Sequence, residues 1–252
     1  MTQRYYLSQP PDQDHAAVLE GDEARHLTKV MRKKIGEEVF LFDGSGLEYR
    51  AAIAAIGRDQ VKLLIRESRQ SHLEWAVPFT LATALPKGER QKWLIEKLTE
   101  LSCARVIPLH TELSVSKADG QVQQRLQRYV IEASKQCGRS RLMEIGAARN
   151  FGELLDEFNS ESTAANLLIH PISDENVGQT SIHDWIAQFR ESAPSSINVL
   201  IGPEGGFSPQ EVRTALEKRW IPLDLGPRVL RTETAAMAVC AILSAFARQE
   251  SR

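Results

Sequence analysis

The sequence has few cysteines and no long apolar run. Its three cysteines, Cys103, Cys137 and Cys240, are scattered and lack the spacing of a metal site. An odd and small number of cysteines argues against a disulfide framework and fits a reducing compartment, so we expect a cytoplasmic protein. No apolar stretch is long enough to cross a bilayer, and the residues after Met1 show no signal-peptide pattern.

The common phosphate-binding motifs are also missing. The chain contains neither the G-x-G-x-x-G fingerprint of dinucleotide-binding domains nor the P-loop pattern. Its glycine-rich loops lie near the end of the chain rather than after a first strand. A nicotinamide-dependent oxidoreductase with a standard nucleotide site is therefore disfavoured.

A strong excess of either charge is absent as well. The chain has 252 residues, a net charge of −2, 42% hydrophobic residues and 25% charged residues. These values are typical of a globular protein of one large or two modest domains. A protein with this balance does not coat nucleic acid, so any RNA binding depends on local basic patches.

The first part of the chain is predicted to be mostly β. Short strand candidates separated by turn residues indicate a small barrel, and they lie at residues 4–7, 16–19, 37–42, 49–56 and 61–65. A helix is predicted at residues 22–34, with Leu27, Val30 and Met31 on one face. Its other face carries a basic set, Arg25, Lys29 and Arg32, which is either a solvated surface or a ridge that contacts phosphates.

From residue 79 onward, predicted strands and helices alternate after a polar linker at residues 68–77. The strands lie at residues 79–85, 104–109, 165–170, 197–201 and 221–225. The helices lie at residues 89–101, 121–137, 181–190 and about 233–248. Repeated βα units predict an α/β domain with a mainly parallel sheet and helices on both faces.

Two loops near the end of the chain are the most informative feature. Residues 200–206 read LIGPEGG and residues 225–235 read LGPRVLRTETA, and each follows an apolar strand and precedes a helix. In open α/β sheets, ligands bind at the carboxyl ends of strands, and glycine lets the backbone approach them closely. Ser208, Pro209 and Glu211 form a predicted capping box at the start of the helix after the first loop. The alternative is a pair of tight turns without a ligand.

The last predicted helix is rich in alanine, which allows close packing of backbones. It contains Ala235, Ala236, Ala238, Ala241 and Ala245. The pattern suits the protein's own core slightly better than a dimer interface, and both interpretations stay open.

Taken together, the motifs resemble those of the SPOUT methyltransferases, and in particular the 16S ribosomal RNA uridine-N3 methyltransferase family. The resemblance covers nearly the whole chain. Its strongest parts are residues 201–206 and 225–235; it also includes residues 26–32, 41–44, 87–90, 131–139 and 167–171.

The resemblance implies two domains. Residues 1–72 are expected to form a PUA-like β-barrel that binds RNA, and residues 73–252 a SPOUT α/β domain with a trefoil knot. The expected protein is a homodimer that uses S-adenosylmethionine, needs no metal, and methylates N3 of a uridine in the 16S RNA of the small ribosomal subunit. A knotted methyltransferase acting elsewhere on RNA, for instance at a ribose 2′-oxygen, and a non-catalytic RNA-binding assembly factor are the alternatives.

The expected cofactor site consists of the two loops and neighbouring residues. Its members are His170, Ile201, Gly202, Pro203, Gly205, Leu225, Gly226, Val229, Leu230, Thr234 and Ala235. A buried histidine with a structural role is an equal alternative for His170. Backbone groups of the loops can bind the adenine edge, and the apolar side chains can form its walls.

Charged residues of the same loops are the candidates for catalysis. Arg231 and Arg228 can hold a phosphate or stabilise a uridine anion, and Glu204 is the first candidate for the base that removes the N3 proton. Glu233 is the second candidate; alternatively, its carboxylate only favours the start of a helix.

The expected RNA-binding residues are mostly basic, and lie in the first domain and near the middle of the chain. They are Arg4, Gly21, Arg25, Lys29, Arg32 and Arg139. Two positions depart from the family pattern, since Leu113 stands where an arginine is expected and Ser102 stands where a glycine is expected.

Overall fold

The computed structural model describes residues 3–114, 120–160, 163–170, 180–192 and 194–246. The chain divides into two compact units. The first unit comprises Met1–Glu74 together with Ile131–Leu142, and the second comprises Trp75–Val130 and Met143–Arg252. Residues 131–142 were expected in the second domain, so their place in the first unit is a difference from the sequence prediction.

The first unit is built around a five-stranded sheet in the order β1-β3-β4-β5-β2. Its elements are β1 (Arg4–Tyr6), β2 (Ala16–Glu20), α1 (Gly21–Arg25), a π-helix (His26–Val30), β3 (Glu38–Phe42), β4 (Leu47–Ile56) and β5 (Gln60–Gln70). β1 pairs with β3 in parallel, and the other neighbours are antiparallel. Register shifts after Arg50 and Ile53 increase the local twist of the long β4–β5 hairpin. The core consists of alternate strand residues, among them Tyr5, Leu19, Val39, Leu41, Ile53 and Leu63.

The predicted helix at residues 22–34 is wrong in length and in its buried face. α1 has only five residues and continues into the π-helix, and Arg32 has a positive φ of 52° that ends the helical backbone. Leu27 is fully buried, but Val30 and Met31 are 65% and 40% exposed. A π-helix has more residues per turn than an α-helix, so the residues three and four positions after Leu27 no longer share its face.

The second unit contains an eight-stranded sheet in which every pair is parallel. Its strands are β6 (Phe79–Thr83), β7 (Arg105–His110), β8 (Glu144–Ile145), β9 (Arg149–Asn150), β10 (Ala164–Ile169), β11 (Thr180–Ser181), β12 (Ser196–Ile201) and β13 (Ile221–Asp224). Its helices are α2 (Glu89–Glu100), α3 (Gly120–Cys137), α4 (Phe151–Asn159), α5 (Ile182–Ser192), α6 (Pro209–Glu217) and α7 (Thr232–Phe246), although the last residues of α3 belong to the first unit. The strand order is β11-β13-β10-β12-β6-β7-β8, and β9 pairs with β7.

Both faces of this sheet are covered. Ala82, Leu168 and Leu200 pack with α4 and α6 in one core that also contains Phe207 and Trp220. Their strand neighbours Leu81, Leu167 and Val199 are equally buried, and alternation along a strand directs them to the opposite face. The predicted parallel α/β sheet with helices on both faces is confirmed.

Most predicted elements lie within one or two residues of the observed ones, but several short elements were missed. The sequence prediction did not include β8, β9, β11 or α4. The predicted linker at residues 68–77 is partly strand, because β5 continues to Gln70. Residues 247 and 248 of the predicted last helix, and Pro171 of the family motif, lie outside the described residues.

Ser102 occupies a position that favours glycine. It follows α2 with a positive φ of 60°, and its N–H donates to Thr99 O while Cys103 N donates to Leu98 O. Such a left-handed residue closes the end of a helix, and glycine adopts that conformation without steric cost. This explains why the family pattern suggests glycine there.

In the part of the chain that the structure describes, no helix combines the length and the apolar character that a membrane span requires. The same residues contain no group of three or more His, Cys, Asp or Glu side chains that could hold a metal ion.

Candidate active site

The two glycine-rich loops start from neighbouring parts of one sheet edge. β10 lies between β12 and β13, and all three strands are parallel. Each strand is directly followed by one of the predicted site residues: His170 follows β10, Gly202 follows β12 and Leu225 follows β13. The carboxyl ends of the strands therefore bring these residues to the same edge of the sheet. This is the edge at which open α/β sheets bind ligands.

A buried hydrogen bond ties one loop to the end of the other. The Thr232 hydroxyl donates to the carbonyl of Gly202 over 3.1 Å. Inside the first loop, Gly206 N donates to Pro203 O over 2.8 Å, and at the start of the second, Gly226 N donates to Asp224 Oδ1 over 2.9 Å. The loops are therefore fixed both internally and to each other.

Gly202 lies where the chain folds back on itself. A Cβ at this position would approach the carbonyl carbon of Gly206 to 2.9 Å and its oxygen to 3.1 Å. Both neighbouring atoms belong to the backbone and cannot move as a flexible side chain can. The close approach of these two segments explains the glycine.

The predicted capping box at the start of α6 is confirmed. Glu211 N donates to the Ser208 hydroxyl, and Ser208 N donates to Glu211 Oε2 over 2.8 Å, with Pro209 in the first turn. The other carboxylate oxygen, Oε1, accepts from Glu112 N over 2.9 Å. One carboxylate thus holds the helix start and the segment after β7 together.

Leu113 packs on the first loop, at the position where the family pattern suggests arginine. A Cβ on Gly205 would lie 3.5 Å from Leu113 Cβ and Cδ1, which is ordinary van der Waals contact. Leu113 is 44% exposed, so the chain presents an apolar side chain beside the loop instead of a cation.

The two loops enclose a cavity of about 260 Å³, which we call the loop cavity. Its lining includes all but one of the predicted cofactor residues: His170, Ile201, Gly202, Pro203, Gly205, Leu225, Gly226, Val229, Leu230 and Ala235. Arg228 and Glu204 also line it. Its volume lies just below the usual range of small-molecule sites, about 300–1,000 Å³.

The structure does not bring every predicted site residue to this cavity. Thr234 and Arg231 are exposed and do not line it. Thr232 lines it instead of Thr234, because α7 begins at Thr232 and turns Thr234 outward. The carbonyl of Arg231 accepts the first hydrogen bond of this helix, from Ala235 N.

Several lining residues were missed by the sequence prediction. They are Ile169, Gly206, Phe207, Asp224 and Thr232. Ile169 and Asp224 are the last residues of β10 and β13, and a rule that includes the final strand residue would have found them.

One cation lies between the two candidate bases. Arg90 Nη1 is 3.2 Å from Glu204 Oε1 and 3.6 Å from Glu233 Oε1. The Glu204 side chain is 55% exposed, whereas the Glu233 side chain is 8% exposed. The exposed Glu204 carboxylate is therefore accessible to a ligand that enters from solvent. Glu233, at the start of α7, is the buried partner of Arg90.

Two family models match the sequence of the chain. A model described as an RNA methyltransferase domain matches residues 73–244, and one described as an RNA methyltransferase PUA domain matches residues 19–66. A ribosomal RNA small subunit methyltransferase E from Synechocystis is 31% identical over 245 residues, with 96% of this chain and 78% of the relative covered. The chain belongs to the ribosomal RNA small subunit methyltransferase E family.

Other members of this methyltransferase family support the assignment over the full length. The Bacillus subtilis protein of the same name is 27% identical over 249 residues, which cover 96% of each chain. The family consists of S-adenosylmethionine-dependent methyltransferases. The match to the PUA model confirms the predicted PUA-like character of the first β domain.

Solved structures of similar methyltransferases share the fold. A putative methyltransferase from Legionella pneumophila, solved with bound S-adenosylmethionine, is 31% identical and has a TM-score of 0.82. A ribosomal RNA small subunit methyltransferase E from Neisseria gonorrhoeae, also solved with S-adenosylmethionine, is 26% identical with the same TM-score of 0.82. Each match covers 98% of both chains. The trefoil knot stays a prediction.

Two of the predicted RNA-binding residues of this methyltransferase are largely buried and lie in ion pairs. Arg4 is 3.1 Å from Glu48 and lies over the Phe42 ring, and burial lowers the pKa of its guanidinium more than Glu48 raises it. Burial also raises the pKa of the Glu48 carboxyl, but hydrogen bonds from Ser140 and Arg69 bring it below its ordinary value. These contacts hold Ser140 and its neighbours against the sheet of the first unit.

Arg139 is the second buried cation. It is 5% exposed, and its Nε and Nη2 donate to the two carboxylate oxygens of Glu74 over 2.9 and 2.6 Å. A two-point contact of this kind fixes both side chains, so Arg139 attaches residues 131–142 to the first unit. The prediction that its guanidinium faces RNA does not agree with this geometry.

The other predicted RNA-binding residues are exposed. Arg25, Lys29 and Arg32 lie on the surface of α1, the π-helix and the turn after it. Arg25 makes a solvent-exposed ion pair of 3.3 Å with Asp22. Such a pair contributes little to stability, so Arg25 can leave Asp22 to contact another anion. Gly21 has a φ of 58° at the start of α1, with open space around it.

Gly202→Ala is expected to weaken S-adenosylmethionine binding at least tenfold, because a Cβ forces the backbone of Gly206 away and reshapes the loop cavity. Isothermal titration calorimetry measures the affinity. Gly152→Ala is the matched control, since a Cβ at Gly152 meets nothing within 4 Å. Equal affinities of the two variants would show that the close approach at Gly202 does not shape the cofactor site.

Proposed function

We propose that this protein methylates N3 of a uridine in the RNA of the small ribosomal subunit, with S-adenosylmethionine bound in the loop cavity. The observation that carries the proposal is the joining of two glycine-rich loops around one cavity at the carboxyl edge of the sheet. The same overall fold holds S-adenosylmethionine in the Legionella and Neisseria proteins.

The residues of the loop cavity fit this cofactor. Leu225, Val229 and Leu230 provide an apolar wall, and Val229 is 76% exposed, so a ligand that covers it removes apolar surface from water. Polar groups lie at the rim, where Asp224 and Arg228 can contact the hydroxyl and carboxylate groups of a ligand. When bound, the cofactor supplies a methyl group already activated by its sulfonium sulfur.

The protein's own contribution is to place the acceptor and to take up a proton. The uracil N3 transfers its proton to the Glu204 carboxylate and forms a bond to the methyl carbon. The electron pair of the broken carbon–sulfur bond stays on sulfur, and Glu204 later releases the proton to water. Holding the reacting atoms about 3–3.5 Å apart lowers the barrier by several kcal/mol.

Nucleoside mass spectrometry tests the reaction. The purified protein is incubated with S-adenosylmethionine and small ribosomal subunits that lack the modification, and the RNA is then digested. We expect new N3-methyluridine. A different methylated nucleoside, such as a 2′-O-methylated one, would show that the acceptor assignment is wrong, and cofactor binding without any methylation of subunits or free RNA would favour a non-catalytic factor.

Exposed cations of the first unit are proposed to bind the RNA. Arg25, Lys29 and Arg32 form a basic surface on a unit whose sequence matches an RNA methyltransferase PUA domain. Phosphate contacts release counterions, so the affinity of such a surface decreases as salt increases.

Arg25→Ala combined with Arg32→Ala is expected to weaken RNA binding and to leave the stability of the fold unchanged. The slope of log affinity against log salt should decrease by roughly 0.7–0.9 for each lost phosphate contact. Arg139→Ala is the contrasting variant, since it should lower the free energy of unfolding by about 3 kcal/mol because it leaves the Glu74 carboxylate without its cation. Filter binding and urea unfolding measure the two quantities. An unchanged salt slope in the double variant would mean that the basic surface is only solvated.

A homodimer is proposed on the family resemblance and on exposed apolar residues of the second unit. Trp93 is 40% exposed on α2, and Ala241 and Ala245 are exposed on α7. Sedimentation equilibrium measures the mass directly. We expect twice the chain mass of 28.2 kDa at micromolar concentration, and a monomer at all concentrations would contradict the proposal.

A further inference from the structure

A second cavity lies at the same sheet edge, beside the loop cavity. β6 pairs with β12 on the side away from β10, and β7 follows β6. The segments after β6 and β7 line a cavity of about 310 Å³, which we call the β6–β7 cavity. Pro203 and Glu204 line both cavities, so a single turn forms a wall between them. A ligand in the β6–β7 cavity therefore lies next to a ligand in the loop cavity.

Arg90 is the cation at the wall of the β6–β7 cavity. Its guanidinium carries five N–H donors, and its contacts with Glu204 and Glu233 both involve Nη1. Among the described residues, Nε and Nη2 have no partner. The Arg90 side chain is 43% exposed, so these donors are available to a ligand that has acceptor oxygens.

Glu233 holds Arg90 from the buried side. Its Oε2 is inaccessible to solvent and has no hydrogen-bond partner in the described part of the chain, and its Oε1 faces Arg90 Nη1. A buried carboxylate strongly favours a nearby cation. The exposed Glu204 can be displaced by a ligand, whereas Glu233 keeps Arg90 at the cavity wall.

The other end of the cavity is suited to a phosphate. Lys87 lines it, is exposed, and makes no ion pair with any described residue. The twelve-residue α2 starts directly after Gly88, which has a φ of 65° and provides no side-chain cap. The N-terminus of a helix attracts anions through its unpaired N–H groups and its dipole.

We propose that the β6–β7 cavity is the binding site of the acceptor uridine nucleotide. Arg90 donates to O4 of the uracil ring, the oxygen that cytosine lacks, and Lys87 contacts the adjoining phosphate. Ser114, on the segment after β7, lines the same space and supplies a hydroxyl. This inference rests on the proposed function, and it replaces the exposed Arg231 with Arg90 as the residue that stabilises the uridine anion.

The chemistry of uracil explains why a cation is useful here. When N3 transfers its proton to Glu204, the negative charge spreads onto the two neighbouring carbonyl oxygens. A fixed donor at one of these oxygens stabilises that charge as it develops. Cytosine has an amino group in place of O4 and no proton on N3. A donor that contacts O4 therefore favours uracil over cytosine.

The test compares Arg90→Ala with Lys92→Ala, which removes another cation of α2 with a similar exposed fraction, 47% against 43%. Ligand-observed NMR measures the binding of uridine 5′-monophosphate and cytidine 5′-monophosphate to the protein. Calorimetry measures the affinity for S-adenosylmethionine, and single-turnover assays with unmodified small subunits measure the rate of methyl transfer.

Arg90→Ala is expected to weaken uridine monophosphate binding at least fivefold and to lower the single-turnover rate by about 10²–10³. Its affinity for S-adenosylmethionine should stay within twofold of the wild type, and Lys92→Ala should match the wild type in every assay. Arg90→Lys keeps the charge that Glu233 requires but loses the planar fork, so it should bind uridine monophosphate better than Arg90→Ala and react more slowly than the wild type.

Wild-type behaviour of both Arg90 variants in nucleotide binding and in rate would overturn the inference, and so would equal binding of the two nucleotides. If Arg90→Ala does not fold, the result for Arg90→Lys decides alone. These outcomes differ from failure of the proposed function, in which the wild-type protein itself produces no N3-methyluridine.

Discussion

A buried hydrogen bond joins the two parts of the site. The Thr232 hydroxyl and the Gly202 carbonyl are 30 residues apart in the sequence, and their contact makes one cavity out of two separate turns. In the same loop, the backbone of Gly206 lies so close to Gly202 that no Cβ fits there. Thr232 is also the first residue of α7; it lines the cavity, whereas Thr234 is exposed.

The arginines predicted to bind RNA have two different physical roles, which the amino-acid composition alone does not distinguish. Arg4 and Arg139 lie in largely buried ion pairs with Glu48 and Glu74, and Arg139 together with Ser140, which bonds both Arg4 and Glu48, holds residues 131–142 in the first unit. Arg25 and Arg32 are exposed, and Arg25 pairs with the exposed Asp22. A chain with a net charge of −2 can still present a local cationic surface, because its charges are unevenly distributed over the surface.

Much of the fold was predictable because regular patterns have local causes. Alternating strands and helices, the Gly-Pro loops and the Ser208–Glu211 capping box each follow from nearby residues. The sequence could not show the π-helix, which changes the period and exposes Val30 and Met31. Nor could it show that Arg90 lies beside Glu204, because this contact depends on the order of β6 and β12 in the sheet.

The discontinuous first unit has a consequence for synthesis. Residues 1–74 leave the ribosome well before residues 131–142, which supply Arg139 and Lys135 as partners of Glu74 and Glu23. At a synthesis rate of about 5–20 residues per second, the carboxylates of Glu74 and Glu23 lack these cationic partners for several seconds. The amino-terminal unit therefore completes its folding late, when the intervening segment has already been translated, and maturation of both units is coupled in time.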